Sequence, residues 1–212
     1  MEKNKVIGIL GLGSMGKIIA RDLYNTFSGQ VIYLVRDINS VKSLAKKYLA
    51  EIRYADVSKP KTLIKAFNGI DVVIHAVHHE FNLNVMKSCL KSKTNYVDLG
   101  GLYHYTKKQL KLNRQFQKAN LTAILGIGAS PGITNVMAKY ASKFFNKIEN
   151  IEIKIGYKDF SEYKQVSPLS SSYSIQTLLE EFSWKPAVFA NGKVKFVKPI
   201  SGRENYKFPN PV

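Results

Sequence analysis

The chain has 212 residues, of which 45% are hydrophobic, so it can fill a substantial core in one large domain or in one and a half domains of ordinary size. It contains no run of about 18 apolar residues and no signal-peptide pattern, so we expect neither a membrane span nor secretion. Cys89 is the one cysteine, which excludes an internal disulfide and is typical of a cytoplasmic protein.

The formal net charge is +17 at pH 7. Such a charge attracts anions, and nucleic acid, an anionic membrane surface and a small phosphate-bearing ligand are the candidates. The lysines are scattered over the chain, and we find no arginine-rich arm, zinc-finger spacing or aromatic RNA-binding segment. We therefore expect a lysine-rich surface and predict neither a nucleic-acid partner nor a membrane partner.

The first motif is an apolar run over 6–10 that ends in three glycines with G-x-G-x-x-G spacing, after which apolar residues recur at helical spacing over 17–23. In a strand, tight turn and helix of this kind, the glycines permit the turn, the approach of a pyrophosphate and close helix packing. The helix N-terminus then faces the phosphates. A plain structural turn is the alternative. The predicted phosphate-binding residues are Gly11, Gly13, Ser14, Met15 and Gly16.

Apolar strand patterns then alternate with amphipathic helix patterns, which indicates a doubly wound α/β fold with a parallel sheet covered on both faces. The predicted later strands are 31–37, 52–57, 71–77, 96–99 and 122–127. The predicted later helices are 40–49, 60–67, 81–92, 106–119 and 133–145.

The end of the second strand bears on the choice of cofactor. An acidic residue about 20 positions past the glycines binds the adenosine ribose in NAD proteins, and a nearby arginine accommodates the 2′-phosphate of NADP. Val35 stands at the usual acidic position and Arg36 follows it. A guanidinium can hold a phosphate through two N–H groups, so we predict NADP, with NAD possible. The alternative is that Asp37 is the ribose acid and Arg36 is merely exposed.

Further cofactor contacts are expected where other strands end. Asp56 ends the third strand, where its side chain could reach the adenine, while Ala76 and His78 follow the fourth strand. Ligands lie at this edge of a parallel sheet. His75 and His79 complete a histidine group with His78, but no carboxylate or cysteine pair joins them in a known ligand spacing, so we predict no metal site.

Asp98 ends the fifth strand and is followed by Gly100 and Gly101, which leave the backbone open at the ligand edge. A functional acid and a structural acid that caps the next turn are both compatible with this pattern. The sixth strand enters a second glycine-rich turn, 128–135, and the N-terminus of the helix that follows is another potential anion site.

The remaining chain predicts a smaller α+β unit. Isoleucines alternate over 148–158, a capped helix is expected over 174–182, and a hairpin over 188–200 turns at Asn191 and Gly192. We therefore divide the chain into a dinucleotide-binding Rossmann domain, 1–147, and the first part of an α+β substrate domain, 148–212. About 65 residues form a marginal core, so we expect a truncated domain or one completed by a partner subunit.

Three motifs carry a family resemblance: GLGSMG at 11–16, YVDLGGLYH at 96–104 and GIGASPGITN at 126–135. They resemble the saccharopine dehydrogenase-like family of NAD(P)-dependent amino-acid oxidoreductases and, within it, most resemble the lysine 6-dehydrogenases. Weaker similarity continues over 173–182 and 201–204, so the resemblance spans essentially the whole chain. Family members usually extend further, which again implies an incomplete substrate domain.

The resemblance implies hydride transfer between the cofactor and the C–N carbon of an amino-acid substrate in lysine metabolism, of the lysine 6-dehydrogenase or saccharopine reductase type, by a homodimer. It places Asp98 against the substrate amine as electrostatic partner or proton acceptor, with Tyr103 and His104 as candidates for a proton relay. The alternative is a non-catalytic NADP-binding sensor. The residues implied to lie against the nicotinamide half are Gly128, Pro131 and Gly132.

Overall fold

The structure is a computed structural model that describes residues 5–156, 158, 160 and 174–210. It divides into two compact units, Met1–Asn146 and Lys147–Val212. The first four residues, and Tyr173 at the start of the weaker similarity over 173–182, lie outside the described residues.

The first unit is built on a six-stranded sheet with the order β3-β2-β1-β4-β5-β6, in which every neighbouring pair is parallel. This strand order is that of the Rossmann fold, and it confirms the predicted fold class. The strands are β1 Val6–Leu10, β2 Gln30–Val35, β3 Glu51–Tyr54, β4 Val72–His75, β5 Asn95–Asp98 and β6 Ala123–Ile124.

Both faces of this sheet are buried because successive side chains of a strand point to opposite faces. On β2, Ile32 and Leu34 join a core cluster that contains Phe67. Tyr33 and Val35 join a second cluster on the other face. The continuous apolar character of the strands therefore follows from their position between two layers of helices.

The helices of the first unit are α1 Ser14–Thr26, α2 Lys42–Lys47, α3 Pro60–Ala66, α4 Asn82–Ser92, α5 Tyr103–Leu110, α6 Asn113–Lys118 and α7 Ile133–Ala141. Short 3-10 turns precede α2 at Asn39–Val41 and α4 at His79–Phe81, and another follows α7 at Ser142–Phe144. Within the described part of the chain, no helix combines the length and the apolarity that a membrane crossing requires.

The single helix predicted over 106–119 is wrong, because the chain forms α5 and α6 with a break between them. The Leu112 N–H donates to the Gln109 carbonyl, three residues back instead of four, which tightens the turn at the break. Gln109, Leu112 and Phe116 are buried, and Leu110 is exposed. Their spacing places the three buried residues on one face with or without the break, so apolar periodicity could not reveal it.

The second unit contains helix α8 Ile175–Ser183 and a hairpin of β7 Ala187–Ala190 with β8 Lys193–Phe196, so both predicted elements are confirmed. The Thr177 N–H donates to the Ser174 hydroxyl, which caps α8. The strand expected over 148–158 is wrong for its described residues, which form no regular element. Alternating isoleucines there remain exposed, and an alternating pattern makes a strand only where a neighbouring strand pairs with it.

Candidate functional site

The glycine turn between β1 and α1 has the backbone geometry that its three glycines were expected to provide. Gly11 has φ 92°, where a side chain would be strained. A Cβ on Gly16 would lie 1.9 Å from the Gly11 carbonyl oxygen, so α1 packs against β1 only with glycine there. A Cβ on Gly13 would meet nothing within 4 Å, so this side of the turn is open. Ser14 and Met15 begin α1, and Met15 is exposed.

A cavity of about 440 Å³ lies beside this turn, at the carboxyl ends of β1 and β2. Its walls include three of the predicted cofactor residues, Gly11, Arg36 and Asp56. Asp37, the alternative ribose acid, lines the same cavity. The hydroxyl-bearing residues in its wall, which sequence reasoning missed, are Ser40 and Ser58. Each follows a strand end within a few residues, a position that could have identified it.

The two carboxylates of the cavity are engaged by local N–H groups. Asp37 Oδ1 accepts from the Asn39 N–H at 3.0 Å and from the Ser40 N–H at 3.3 Å. Asp56 Oδ1 accepts from the Ser58 hydroxyl at 2.7 Å and from the Ser58 N–H at 3.0 Å.

Those hydrogen bonds from Ser58, with smaller contributions from the charges of Lys59 and Arg36, lower the pKa of Asp56. Arg36 forms no ion pair with any described carboxylate. The cavity therefore combines two carboxylates that already accept local hydrogen bonds with a guanidinium that can bind an anion.

The residues after β4 lie beside the glycine turn and at the start of α4. The Ala76 N–H donates to the Leu10 carbonyl at 2.9 Å, and the Ala76 carbonyl oxygen would lie 3.2 Å from a Cβ on Gly11. The structure therefore brings Ala76 to the turn. His78 Nδ1 accepts a bond from the Glu80 N–H at 3.4 Å, which caps the 3-10 turn before α4.

Asp98 lies at the end of β5 with only 1% of its surface exposed. Its Oδ1 accepts from the Gly126 N–H at 2.7 Å and from the Gly100 N–H at 2.9 Å. Its Oδ2 accepts from Gln109 Nε2 at 2.6 Å and from the Tyr96 hydroxyl at 2.9 Å. These contacts have the geometry of the alternative stated above, a structural acid that caps the next turn, and they leave the proposed contact with a substrate amine untested.

The second glycine-rich turn packs on the turn after β5. A Cβ on Gly132 would lie 1.9 Å from the Gly128 carbonyl oxygen, and a Cβ on Gly100 would lie 2.7 Å from Pro131 Cγ. The structure thus brings Gly128, Pro131 and Gly132 next to the end of β5.

The two candidates for the proton relay, Tyr103 and His104, are adjacent in sequence and lie just after the Gly100 turn. Tyr103 and His104 are the first residues of α5, and their ring centroids are 6.4 Å apart. They follow the Gly100 turn directly, so the end of β5 and the start of α5 form one continuous edge of the first unit.

His75 occupies the last position of β4, where it pairs in register with Asp98. It is 1% exposed, and within the described part of the chain neither of its ring nitrogens meets a partner at full hydrogen-bond geometry. Burial lowers the pKa of His75 to about 4, although the charge of Asp98 acts to raise it. The imidazole is therefore neutral at pH 7. Together with the buried side chains of Asp98, Tyr96 and Gln109, it forms a buried polar layer. Sequence reasoning identified Asp98 but did not identify this layer.

Comparison with known proteins identifies the first unit. Residues 7–124 match the model of the saccharopine dehydrogenase NADP binding domain. The chain is 26% identical over 193 residues to carboxynorspermidine synthase of Vibrio alginolyticus, a match that covers 85% of this chain and 45% of that protein. It is 28% identical over 181 residues to the NADP-dependent, L-glutamate-forming saccharopine dehydrogenase of Saccharomyces cerevisiae, covering 85% of this chain and 38% of the relative.

The solved structure of the apo, L-glutamate-forming saccharopine dehydrogenase from Saccharomyces cerevisiae has the same fold, with a TM-score of 0.68 and 21% identity over 97% of this chain and 47% of that one. The chain therefore spans less than half the length of each of these three relatives. The family-model match confirms the predicted family and the predicted cofactor, NADP. The relatives reported above are named carboxynorspermidine synthase and saccharopine dehydrogenase rather than lysine 6-dehydrogenase, so the finer similarity stays a prediction.

We predict that His75 makes the protein acid-sensitive. The unfolded state binds a proton with a pKa near 6.5, whereas the folded state holds His75 neutral down to about pH 4. Stability is therefore lost as the pH falls from 6.5 to 4 and levels off below, by roughly 3 kcal/mol in total. Urea unfolding of the wild type and His75→Gln between pH 7 and 4 measures this difference. Equal losses in the two proteins would contradict the assignment.

We predict that two glycines of the same turn, Gly13 and Gly16, affect different properties of the protein. Gly13→Ala leaves the thermal midpoint near that of the wild type, because its Cβ meets no protein atom, but weakens NADPH binding at least tenfold by occupying the open side of the turn. Gly16→Ala lowers the midpoint itself, because its Cβ meets the Gly11 carbonyl oxygen. Thermal melts and NADPH fluorescence titrations distinguish them. Unchanged NADPH affinity in Gly13→Ala would show that the cofactor does not use this turn.

Proposed function

The chain belongs to the family defined by the saccharopine dehydrogenase NADP-binding domain, and from that premise we propose that it takes part in NADP-dependent hydride transfer at the C–N carbon of an amine or amino-acid substrate. The observation that carries the proposal is the open glycine turn beside a cavity that contains Arg36. When bound there, the cofactor supplies the hydride-accepting and hydride-donating chemistry.

The cofactor fits the chain's own groups. The open side of Gly13 and the N-terminus of α1 suit a pyrophosphate, since the first N–H groups of a helix have no partner within it. Arg36 suits the 2′-phosphate, and Asp56 in the cavity wall suits the adenosine half. The remaining residues that we assign to cofactor binding are Gly11, Ser14, Met15, Gly16, Ala76, His78, Gly128, Pro131 and Gly132.

On the substrate side, an amine must lose a proton before its carbon gives up a hydride, so a proton acceptor is needed near the nicotinamide. We assign this relay to Tyr103 and His104 at the start of α5. The family resemblance also implies Asp98 beside the substrate amine, but its carboxylate is buried under hydrogen-bond donors and an amine could reach it only by displacing one of them, so we do not assign the proton transfer to it.

Lysine, saccharopine and a related polyamine or imine are the candidate substrates. The names of the matched relatives include both saccharopine dehydrogenase and carboxynorspermidine synthase, which supports an amine-type substrate without selecting one. We further propose that 1–147 is the dinucleotide-binding domain, that 148–212 is the first part of a substrate and dimerisation domain, and that the protein is a cytoplasmic homodimer.

Steady-state kinetics tests the function directly. We expect NADP reduction with at least one of lysine, saccharopine or carboxynorspermidine, each of which gives up a hydride as its C–N carbon is oxidised, and a strong preference for NADP over NAD. The Gly13→Ala variant serves as the cofactor-site control. NADPH binding without turnover of any of these substrates would favour the non-catalytic sensor. Tight, salt-dependent binding of DNA or RNA that NADP does not compete away would instead indicate a nucleic-acid function.

Arg36→Ala tests how the cofactor is selected. We expect NADPH to bind about 10- to 100-fold more weakly and NADH to be unaffected, since a hydrogen bond to a charged group contributes about 1.5–3 kcal/mol. Lys42→Ala removes the same charge from the nearby start of α2 and should change little. Asp37→Ala tests the alternative. If Asp37→Ala weakens NADH strongly while Arg36→Ala leaves the NADPH-to-NADH ratio unchanged, Asp37 is the ribose acid.

A further inference from the structure

The Asp98 carboxylate joins two turns that are far apart in sequence. Its Oδ1 accepts from the Gly100 N–H, just after β5, and from the Gly126 N–H, 28 residues further along than Asp98. Both glycines have positive φ, 102° and 68°. Because a single oxygen atom holds both amides at 2.9 and 2.7 Å, the distance between the two turns is fixed by that atom.

The other carboxylate oxygen holds a helix. Oδ2 accepts from Gln109 Nε2 at 2.6 Å, and Gln109 lies in α5, which begins at Tyr103. Asn82 Nδ2 on α4 is 3.4 Å from Oδ2 and donates to Gln109 Oε1 at 3.1 Å, which closes a small ring of amide and carboxylate groups. The orientation of α5 therefore depends on the same side chain as the spacing of the turns.

The turns held by Oδ1 carry the wall assigned to the nicotinamide half. A Cβ on Gly100 would lie 2.7 Å from Pro131 Cγ, and a Cβ on Gly126 would lie 3.2 Å from the same atom. Pro131 thus rests on both glycines that Asp98 clamps. A shift of either turn would move the second glycine-rich turn relative to β5.

The same hydrogen bonds argue against contact between Asp98 and a substrate amine. An ionised carboxylate offers about four lone-pair sites. Two backbone N–H groups, the Tyr96 hydroxyl and the Gln109 amide occupy that number, with Asn82 as a longer contact. Only 1% of the residue is exposed, so both oxygens are enclosed by protein groups.

We propose that Asp98 is a positioning residue, whose buried carboxylate fixes the Gly100 turn, the Gly126 turn and α5 relative to one another. The activity consequence rests on the proposed function. Asp98 acts through the backbone of the two turns on the nicotinamide wall and through Gln109 on Tyr103 and His104. It neither accepts a proton from the substrate nor touches the cofactor.

Asp98→Asn is the discriminating variant. Its carbonyl oxygen can still accept from both glycine N–H groups, while the amide nitrogen replaces only Oδ2, where Gln109 and Asn82 can turn their amides over together and the Tyr96 hydroxyl can rotate. We expect kcat within tenfold of the wild type and an unchanged pH profile. A proton acceptor contributes about 10²- to 10⁴-fold, so a loss of 100-fold or more together with a missing limb of the pH profile would overturn the proposal.

Asp98→Ala removes the clamp. We expect the Gly100 and Gly126 amides to exchange with solvent at least tenfold faster than in the wild type, as followed by NMR on the full chain, and the KM for NADPH to rise at least tenfold. Asp98→Asn should retain most of the amide protection and a KM for NADPH close to that of the wild type. Phe116→Leu, a core change on α6 at a residue that makes none of the Asp98 hydrogen bonds, is the control for lost stability and should leave the two amides protected.

If the two amides of Asp98→Ala exchange at wild-type rates, the proposal that Asp98 clamps the turns is wrong. If that variant does not fold, the kinetics of Asp98→Asn alone test the proposal. Amide exchange needs no cofactor or substrate. A wild type that neither binds NADPH nor turns over an amine would therefore refute the proposed function while leaving the clamp measurable.

Discussion

The close packing of α1 on β1 is the constraint on which the edge of the sheet beside the cavity depends. The Gly11 carbonyl oxygen lies where any side chain larger than glycine at position 16 would have to be, so the start of the helix is held against the end of the strand. This contact lies where β1 meets both β2 and β4, at the point where the strand order changes direction. A crevice opens at such a point because the connections leave to opposite faces.

Because that crevice is set by topology, much of the site could be predicted from the sequence. The carboxyl ends of parallel strands meet at one edge, so residues that follow apolar runs are brought together whatever their separation along the chain. Gly11, Arg36 and Asp56 follow three different strands and all line the same cavity. The strands themselves were predictable because burial on both faces requires continuous apolar runs, which few other elements show at that length.

Features that depend on pairing between helices and strands were not predictable. Asn82 and Gln109 are polar residues within amphipathic helices, and nothing in their spacing shows that both point inward onto Asp98. A buried polar group must find partners, but the sequence does not say which ones. The break between α5 and α6 could not be predicted for a related reason, since it leaves the buried face of the two helices unchanged. In the second unit, the isoleucines over 151–155 show the period of a strand without a described strand to pair with.

The same distinction between long-range and local effects applies to the charge. A net charge of +17 raises the concentration of any anion near the surface and is screened within about 10 Å at ordinary ionic strength, so it cannot distinguish NADP from NAD or from other phosphates. Selection requires a donor at a fixed place. In the cavity, local N–H groups already engage Asp37 and Asp56. Their charges are thereby held in place, and Arg36, which forms no ion pair with a described carboxylate, is the residue to which we assign recognition of an added phosphate at short range.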